Sequence, residues 1–415
     1  MALDHTLDHT SDLTLDLEYV RSLFPQCADY PEVVFCSNAG GSFVAKPVIE
    51  LLNHYNSHTR VQPYSHFTPS QEAGDAMDQA KAGWAAALSA DVKEITLGPS
   101  TSANSYVMAQ ALGASWGPGD EIIICQQDHE ANIGAWERKA QEQGATLRIW
   151  EIDPATGLLN PDDLYTLLNE HTRWVFFTQA SNLMGTVNPV AEIAREVHER
   201  SGAKVCVDGV SYAPHHIPNV KALGVDIYMF SLYKVYGPHQ GLLYVDAALS
   251  ESLAGQGHYF NREDPAKRFN PAGPQHGQIA ACQGVLDYLD ALHAHHGGSA
   301  EDDALARVAH VHDLIIEQER VLAEPLLDYL DNSGKVQLLG KRHCRDGDRA
   351  PTVAFKPLEG SSAELAATLQ ADGIGTESGD FYAPRALEAM GIDPSDGVVR
   401  ISLLHYNTLE EVERI

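Results

Sequence analysis

Long apolar runs are missing from this chain. Nowhere in its 415 residues is there anything near the roughly 18 consecutive apolar residues that a membrane-spanning helix needs, so no membrane partner is expected. Basic residues are scarce: 28 Lys and Arg stand against 57 Asp and Glu, for a formal net charge of −29. That balance argues against nucleic acid or an anionic membrane surface as a partner, although a pocket can still be locally basic. Cysteines are few. The six (Cys27, Cys36, Cys125, Cys206, Cys282 and Cys344) are scattered and form no C-x-x-C pair, which suits a cytoplasmic protein and not a disulfide framework. Residues 1–17 are acidic and carry histidines. They lack the basic and apolar regions of a signal peptide and read as a frayed tail. His293, His295 and His296 have no Cys or carboxylate at ligand spacing, so they read as a solvated helix end and no metal site is expected. There is no internal repeat and no low-complexity linker.

What is present is a regular alternation of apolar strands and helices. Apolar segments at 94–97, 121–125, 147–150, 174–178, 205–208, 226–230 and 241–245 are short and almost continuously hydrophobic. Helical spacing separates most of them, at 103–112, 132–143, 161–168 and 190–201. This pattern predicts a mostly parallel sheet covered on both faces. Polar residues cluster just past the strand ends, where open α/β sheets bind ligands. From Phe269 the texture changes. Long helices at 278–292 and 302–329 precede strands at 336–339, 352–355, 374–377 and 398–403, with a helix at 362–371 and another starting near Thr408. The expected organisation is an N-terminal segment (1–29) packing on the smaller domain, a large ligand-binding domain (30–272) and a smaller C-terminal α+β domain (273–415).

The chemistry points to the segment Ser231-Leu232-Tyr233-Lys234-Val235-Tyr236-Gly237-Pro238-His239-Gln240-Gly241. Lys234 sits between two apolar strands. Upstream, Val205-Cys206-Val207-Asp208 is an apolar strand that ends in an acid, and a carboxylate buried there needs a partner. An amine and a carboxylate at neighbouring strand ends suit pyridoxal 5'-phosphate, with the lysine bonded to the cofactor carbonyl and the acid paired with the pyridine nitrogen. Gly98-Pro99-Ser100-Thr101-Ser102, between a strand and a helix start, offers free N–H groups to a phosphate; an ordinary N-cap is the competing reading. Ser37-Asn38-Ala39-Gly40-Gly41 can bring backbone close to a ligand. The aromatic stretch His58–Phe67 is too long for a simple turn, and its role stays open.

These residues resemble the class V aminotransferase family of fold-type-I pyridoxal phosphate enzymes, in particular its cysteine desulfurase-like subgroup. The likeness runs from about Val34 to Glu410. The family pattern Ser-x-His-Lys-x-x-Gly-Pro is matched from Ser231 to Pro238. The resemblance implies that Lys234 is the cofactor-bonded lysine and Asp208 the partner of the ring nitrogen. His129 would stack on the ring, Asn182 and Ser211 would approach its phenolic oxygen, and Ser100, Thr101, Ser231 and Tyr233 would serve the phosphate. Arg400 would clamp a substrate carboxylate, a task that suits its forked donors, with Asn38 and Tyr382 also facing substrate. It further implies a homodimer with a shared active site and a small amino substrate.

Three departures stand out. Tyr233 replaces the family histidine before the lysine. Pro274 stands where a threonine of the partner subunit often meets the phosphate. Tyr382 occupies the place of the desulfurases' mobile cysteine, and a tyrosine cannot accept sulfur as a persulfide. Transamination is the first expectation. A C–S β-lyase without a persulfide, an epimerase and a non-catalytic cofactor-binding protein remain as alternatives.

Overall fold

The computed structural model describes residues 14–261, 264–344 and 347–415; the expected tail thus lies mostly outside the described residues. The described residues form thirteen strands. They are β1 (Val34–Phe35), β2 (Ile95–Gly98), β3 (Glu121–Cys125), β4 (Thr146–Trp150), β5 (Thr172–Thr178), β6 (Lys204–Asp208) and β7 (Ile227–Ser231), followed by β8 (Gly241–Val245), β9 (Val336–Leu338), β10 (Thr352–Pro357), β11 (Ile374–Gly375), β12 (Glu377–Gly379) and β13 (Val398–Ser402). Seven of them make the large sheet, in the order β2-β8-β7-β6-β5-β3-β4. β4, β3, β5, β6 and β7 run parallel, while β8 is antiparallel to both β7 and β2.

Alternation along each strand feeds two cores. Phe176, Cys206, Met229 and Leu243 point to one face, against the helices Thr101–Gly113 and Gly134–Gln143. Phe177, Val207, Phe230 and Leu242 point to the other, against Thr68–Ala87 and Val190–Ser201. The near-continuous apolar strands are explained by this double burial. The expected α/β architecture is therefore present: a large, mostly parallel sheet and a smaller antiparallel one.

The smaller sheet has the order β12-β13-β10-β9 and is antiparallel throughout. On β13, Val399 and Ile401 enter a core with Leu322, Leu326 and Phe355. The intervening residues, Val398, Arg400 and Ser402, face the opposite way. Val398 packs with Leu183 and Met184 from the loop after β5. The period of two thus aims Arg400 at the large sheet's strand ends. β1 pairs in parallel with β11, so the chain around Val34 joins the smaller unit's strands.

Three expectations differ from the structure. The helix read as continuous over 278–292 is two helices, His276–Ala281 and Gln283–His295, meeting at Cys282. The strand read at 374–377 divides at Thr376, where the chain changes partner from β1 to β13; the Thr376 hydroxyl donates to the Arg400 carbonyl, 2.7 Å away. His293 is buried, not solvated; its ring covers Gly298 and its Nε2 lies 3.1 Å from the Ser299 carbonyl.

One close approach fixes the start of the helix Thr101–Gly113 against β8. A Cβ on Gly241 would lie 2.3 Å from the Ser100 carbonyl carbon and 2.5 Å from the Thr101 nitrogen, both backbone atoms. Gly241→Ala is expected to destabilise the protein by about 1–3 kcal/mol and to weaken cofactor retention. Thermal unfolding with and without added pyridoxal phosphate measures both effects.

Candidate active site

The site lies at the carboxyl ends of the parallel strands. Thr101, His129, Asn182, Asp208, Ser211, Ser231, Tyr233 and Lys234, all expected from sequence, line one cavity together with Ser102 and Thr178. Each arrives from the end of a strand or the start of a helix. Asp208 ends β6, and Lys234 closes the single 3-10 turn Leu232–Lys234 after β7.

Burial sets the charges. Asp208 is held by the Val210 N–H at 2.8 Å. Its carboxyl is pushed up to about 6, chiefly by burial and against the pull of the Val210 N–H and Lys234. The Lys234 amine is brought down to about 8 by burial and then by the positive Arg400, with Asp208 opposing. Lys234 makes no hydrogen bond among the described residues, although only 7% of its surface is exposed. Asp128, the residue before His129, is likewise fully buried with its carboxyl pushed well up, and Asp208 adds to that shift.

His129 accepts the Ala131 N–H at Nδ1, 3.0 Å away. Burial, Lys234 and Arg400 lower it to about 4, in that order. The ring is therefore neutral at pH 7, with its proton on Nε2. Ser231 and Thr101 share a hydrogen bond of 2.8 Å between their hydroxyls. Thr101 and Ser102, the first two residues of the helix Thr101–Gly113, line the cavity. Their N–H groups precede any intrahelical partner and favour an anion. Tyr233 stacks on His239 with ring centres 4.7 Å apart.

The remaining expected residues stand elsewhere. The Ser100 hydroxyl accepts the Ala103 N–H at 3.1 Å; it is the N-cap of its helix and is absent from the cavity wall, so the competing cap reading applies to this side chain. The Asn38 amide donates to Ser402 O at 2.8 Å and accepts from Tyr406. It is committed inside the protein, although Asn38 lines a smaller cavity behind Lys234. Arg400 donates from Nη1 to Asn182 O at 2.9 Å and lies 3.9 Å from the Phe381 ring centre, while its Nε has no partner among the described residues. Burial lowers Arg400 to about 10 against the pull of Glu377.

Tyr382 is 70% exposed, and its ring stacks on His129 at 5.1 Å. Phe381 and Tyr382 both hold positive φ, 51° and 59°, a conformation that costs a side-chain-bearing residue roughly 1–2 kcal/mol. Contacts across the site hold them there. Asn182 Nδ2 donates to Phe381 O at 2.7 Å, and Glu130 N donates to Tyr382 O at 2.8 Å. Arg385 binds Glu130 and Glu137 at 2.7 and 2.6 Å. Phe381 and Arg385 were missed in the sequence. Glu130 lies 255 residues from Arg385 and Asn182 lies 199 residues from Phe381, and no local pattern announces these pairs.

The donor set fits pyridoxal 5'-phosphate. Thr101, Ser102 and Ser231 can hold the phosphate, Asp208 the ring nitrogen and His129 the ring face. Lys234 supplies an amine that nothing else engages, and Asn182 keeps a buried Oδ1 without a partner. Sheet, strand-end lysine and strand-end aspartate define a fold-type-I pyridoxal phosphate enzyme.

Known proteins narrow this further. The aminotransferase class-V family model matches residues 34–415, and the chain belongs to that family. It is 36% identical over 409 residues to the aminotransferase-like protein FGM3 of Gibberella zeae, spanning 96% of each. It is 32% identical over 408 residues to the cysteine desulfurase-like protein ustD of Aspergillus flavus, spanning 96% of this chain and 88% of that one. The apo cysteine desulfurase of Thermococcus onnurineus NA1 superposes with a TM-score of 0.83 at 25% identity over 95% of both chains. The cysteine desulfurase CsdA of Escherichia coli does so with 0.80 at 24%, over 97% and 96%. The cofactor is pyridoxal 5'-phosphate.

The raised Asp208 carboxyl has a consequence for stability. Its folded value, about 6, lies above the ordinary 3.8, so the folded state binds the proton more tightly than the unfolded one. Its contribution is therefore lost as pH rises from about 4 through 6. Asp208→Asn is expected to make the cofactor-free protein more stable at pH 7, by up to about 3 kcal/mol, and to abolish most turnover of the loaded enzyme. Urea unfolding of the cofactor-free protein at pH 5 and pH 7 checks the first effect; an unchanged kcat would exclude the second.

Proposed function

We propose that this chain transfers the amino group of a small α-amino acid, with Lys234 as the group that moves the Cα proton. The observation that carries this reading is the buried Lys234 amine sharing one cavity with Asp208, beside a latched loop that offers Tyr382 where a desulfurase would need a thiol. When bound, pyridoxal phosphate supplies a carbonyl for the substrate amine and an electron-poor ring that accepts negative charge from Cα. Asp208 keeps the ring nitrogen protonated, because a carboxylate in that dry setting gains most from a cationic partner. Lys234 would serve as the base that moves the Cα proton, and its lowered affinity for protons suits that work near neutral pH. Arg400 offers Nε and the rest of its fork to the substrate carboxylate. His129 lines the cavity, and the largely exposed Tyr382 ring stacks on it as an outer wall.

A C–S β-lyase is the second reading. It is favoured by the 32% identity to a protein named cysteine desulfurase-like, and sulfur can leave as a thiol without any enzyme cysteine. Epimerisation and cofactor binding without catalysis follow behind. A persulfide route finds no support. None of the six cysteines lines either cavity beside Lys234, and burial raises every one of their thiols. The unpaired state of all six cysteines supports a cytoplasmic setting. No helix among the described residues is long and apolar enough to cross a membrane. We further propose a homodimer. An open groove of about 560 Å³, in which Pro274, Tyr64 and Leu97 take part, offers a second copy a surface next to the strand that leads to Ser100.

Borohydride reduction of the loaded protein, followed by peptide mass analysis, is expected to fix the cofactor on Lys234, and Lys234→Ala should lose the visible band of the lysine-bound cofactor. With a panel of amino acids, keto acid release beyond one equivalent per active site should need an added 2-oxo acid. Thiol or sulfide release without an acceptor would establish the second reading instead, and inverted amino acid the epimerase. Tyr382→Phe tests the wall: loss of a hydroxyl that binds substrate lowers kcat/KM several-fold, equivalent to about 0.5–1.5 kcal/mol, whereas a packing ring leaves it unchanged.

A further inference from the structure

Lys234 faces two cavities. The one described above opens toward the cofactor. Behind it lies a second, of about 10 Å³, bounded by Lys234, Ser211, Asn38, Ser402 and His215. That is space for about one water. His215 is also part of the wall of a third cavity of about 60 Å³, together with Glu319, His216, Arg320 and Arg349. The His215 ring is thus the partition between the lysine and an outer chamber.

His215 is bound on one side only. Its Nδ1 lies 2.8 Å from Glu319 Oε2, and both side chains are almost wholly buried. No partner for its Nε2 exists among the described residues. Glu319 comes from the long helix Ala304–Asn332; the His405 backbone N–H also faces its carboxylate, and its buried Oε1 has no hydrogen-bond partner among the described residues. An ionisable pair in such a setting is costly to retain for packing alone, since apolar residues of the same volume do as well or better. Neither residue belongs to the cofactor-binding set.

We propose that His215 and Glu319 form a proton channel between Lys234 and the outer chamber, reached from Lys234 through the second cavity. This rests on the Lys234 reading above. An ammonium at Lys234 must lose a proton before its amine can attack a carbonyl. The transfer balances in three hand-offs. Lys234 gives a proton to a water in the 10 Å³ cavity while that water gives one to His215 Nε2. His215 gives its Nδ1 proton to Glu319 Oε2. Glu319 releases one proton to the outer chamber. One proton leaves the lysine, one reaches solvent, and no electrons move. His215 and Glu319 are positioning residues in this scheme, because neither touches substrate.

The test is reconstitution of the cofactor-free protein with pyridoxal phosphate, followed through the growth of the visible band of the lysine-bound cofactor. His215→Gln and the isosteric Glu319→Gln are expected to slow that growth by roughly tenfold or more at unchanged final amplitude. Added imidazole, a base small enough to enter, should restore much of the lost rate in His215→Gln. Rates within twofold of the parent in both variants would overturn the channel. So would slow reconstitution that imidazole does not relieve, since that is the mark of a structural pair. Should one variant fail to fold, the other carries the decision. Lys234→Ala separates the two readings: if it keeps the parent's visible band, the lysine assignment has failed; if it loses the band while both relay variants behave as the parent, only the channel has.

Discussion

Two basic groups are buried beside one another, and each has its own acid: Asp208 for Lys234 and Glu377 for Arg400. Arg400 lowers Lys234, both lower His129, and Asp208 pulls Lys234 back up. In a chain of net charge −29, this small interior region is positive. A phosphate, a substrate carboxylate or both would add negative charge beside Lys234 and Arg400. The protein therefore carries electrostatic strain that its ligands relieve. The neutral His129 fits the same rule: a third cation there would add to the repulsion, and burial removes its proton.

That arrangement depends on the placement of one strand. β13 has a period of two, and its two faces serve two units. Val399 and Ile401 fill the smaller core, while Val398 and Arg400 meet the loop after β5. A shift of register by one residue would send Arg400 into the apolar core and leave an isoleucine at the site. The pairing Ala354↔Arg400 with β10 and the divided strand at Thr376 both pin that register.

Much of this was legible in the sequence, for physical reasons. Strands buried on both faces must be almost continuously apolar, so β3 and β8 could be read to the residue. Asp208 and Lys234 stood out because each interrupts such a run at its end. What could not be read depends on distance along the chain or on a choice between equal uses. Ser100 is suited both to a phosphate and to capping a helix, and the cap took it. Asn38 offered an amide to a ligand, yet Ser402 and Tyr406 engage it. The break at Cys282 and the burial of His293 follow from neighbours that no periodicity reveals. His215 and Glu319 lie 104 residues apart, and nothing in either segment hints at the other.

The loop that carries Phe381 and Tyr382 has one more implication. Its carbonyls are held by Asn182 and Glu130, its following helix is tied through Arg385 to Glu130 and Glu137, and Arg400 grips the carbonyl of Asn182. All of these bonds run between the smaller unit and the larger one, and all crowd around the same opening. Rigid-body separation of the two units would break them together, and none of them could yield without strain on the rest. The Tyr382 ring, carried on the same loop, would move with any such separation.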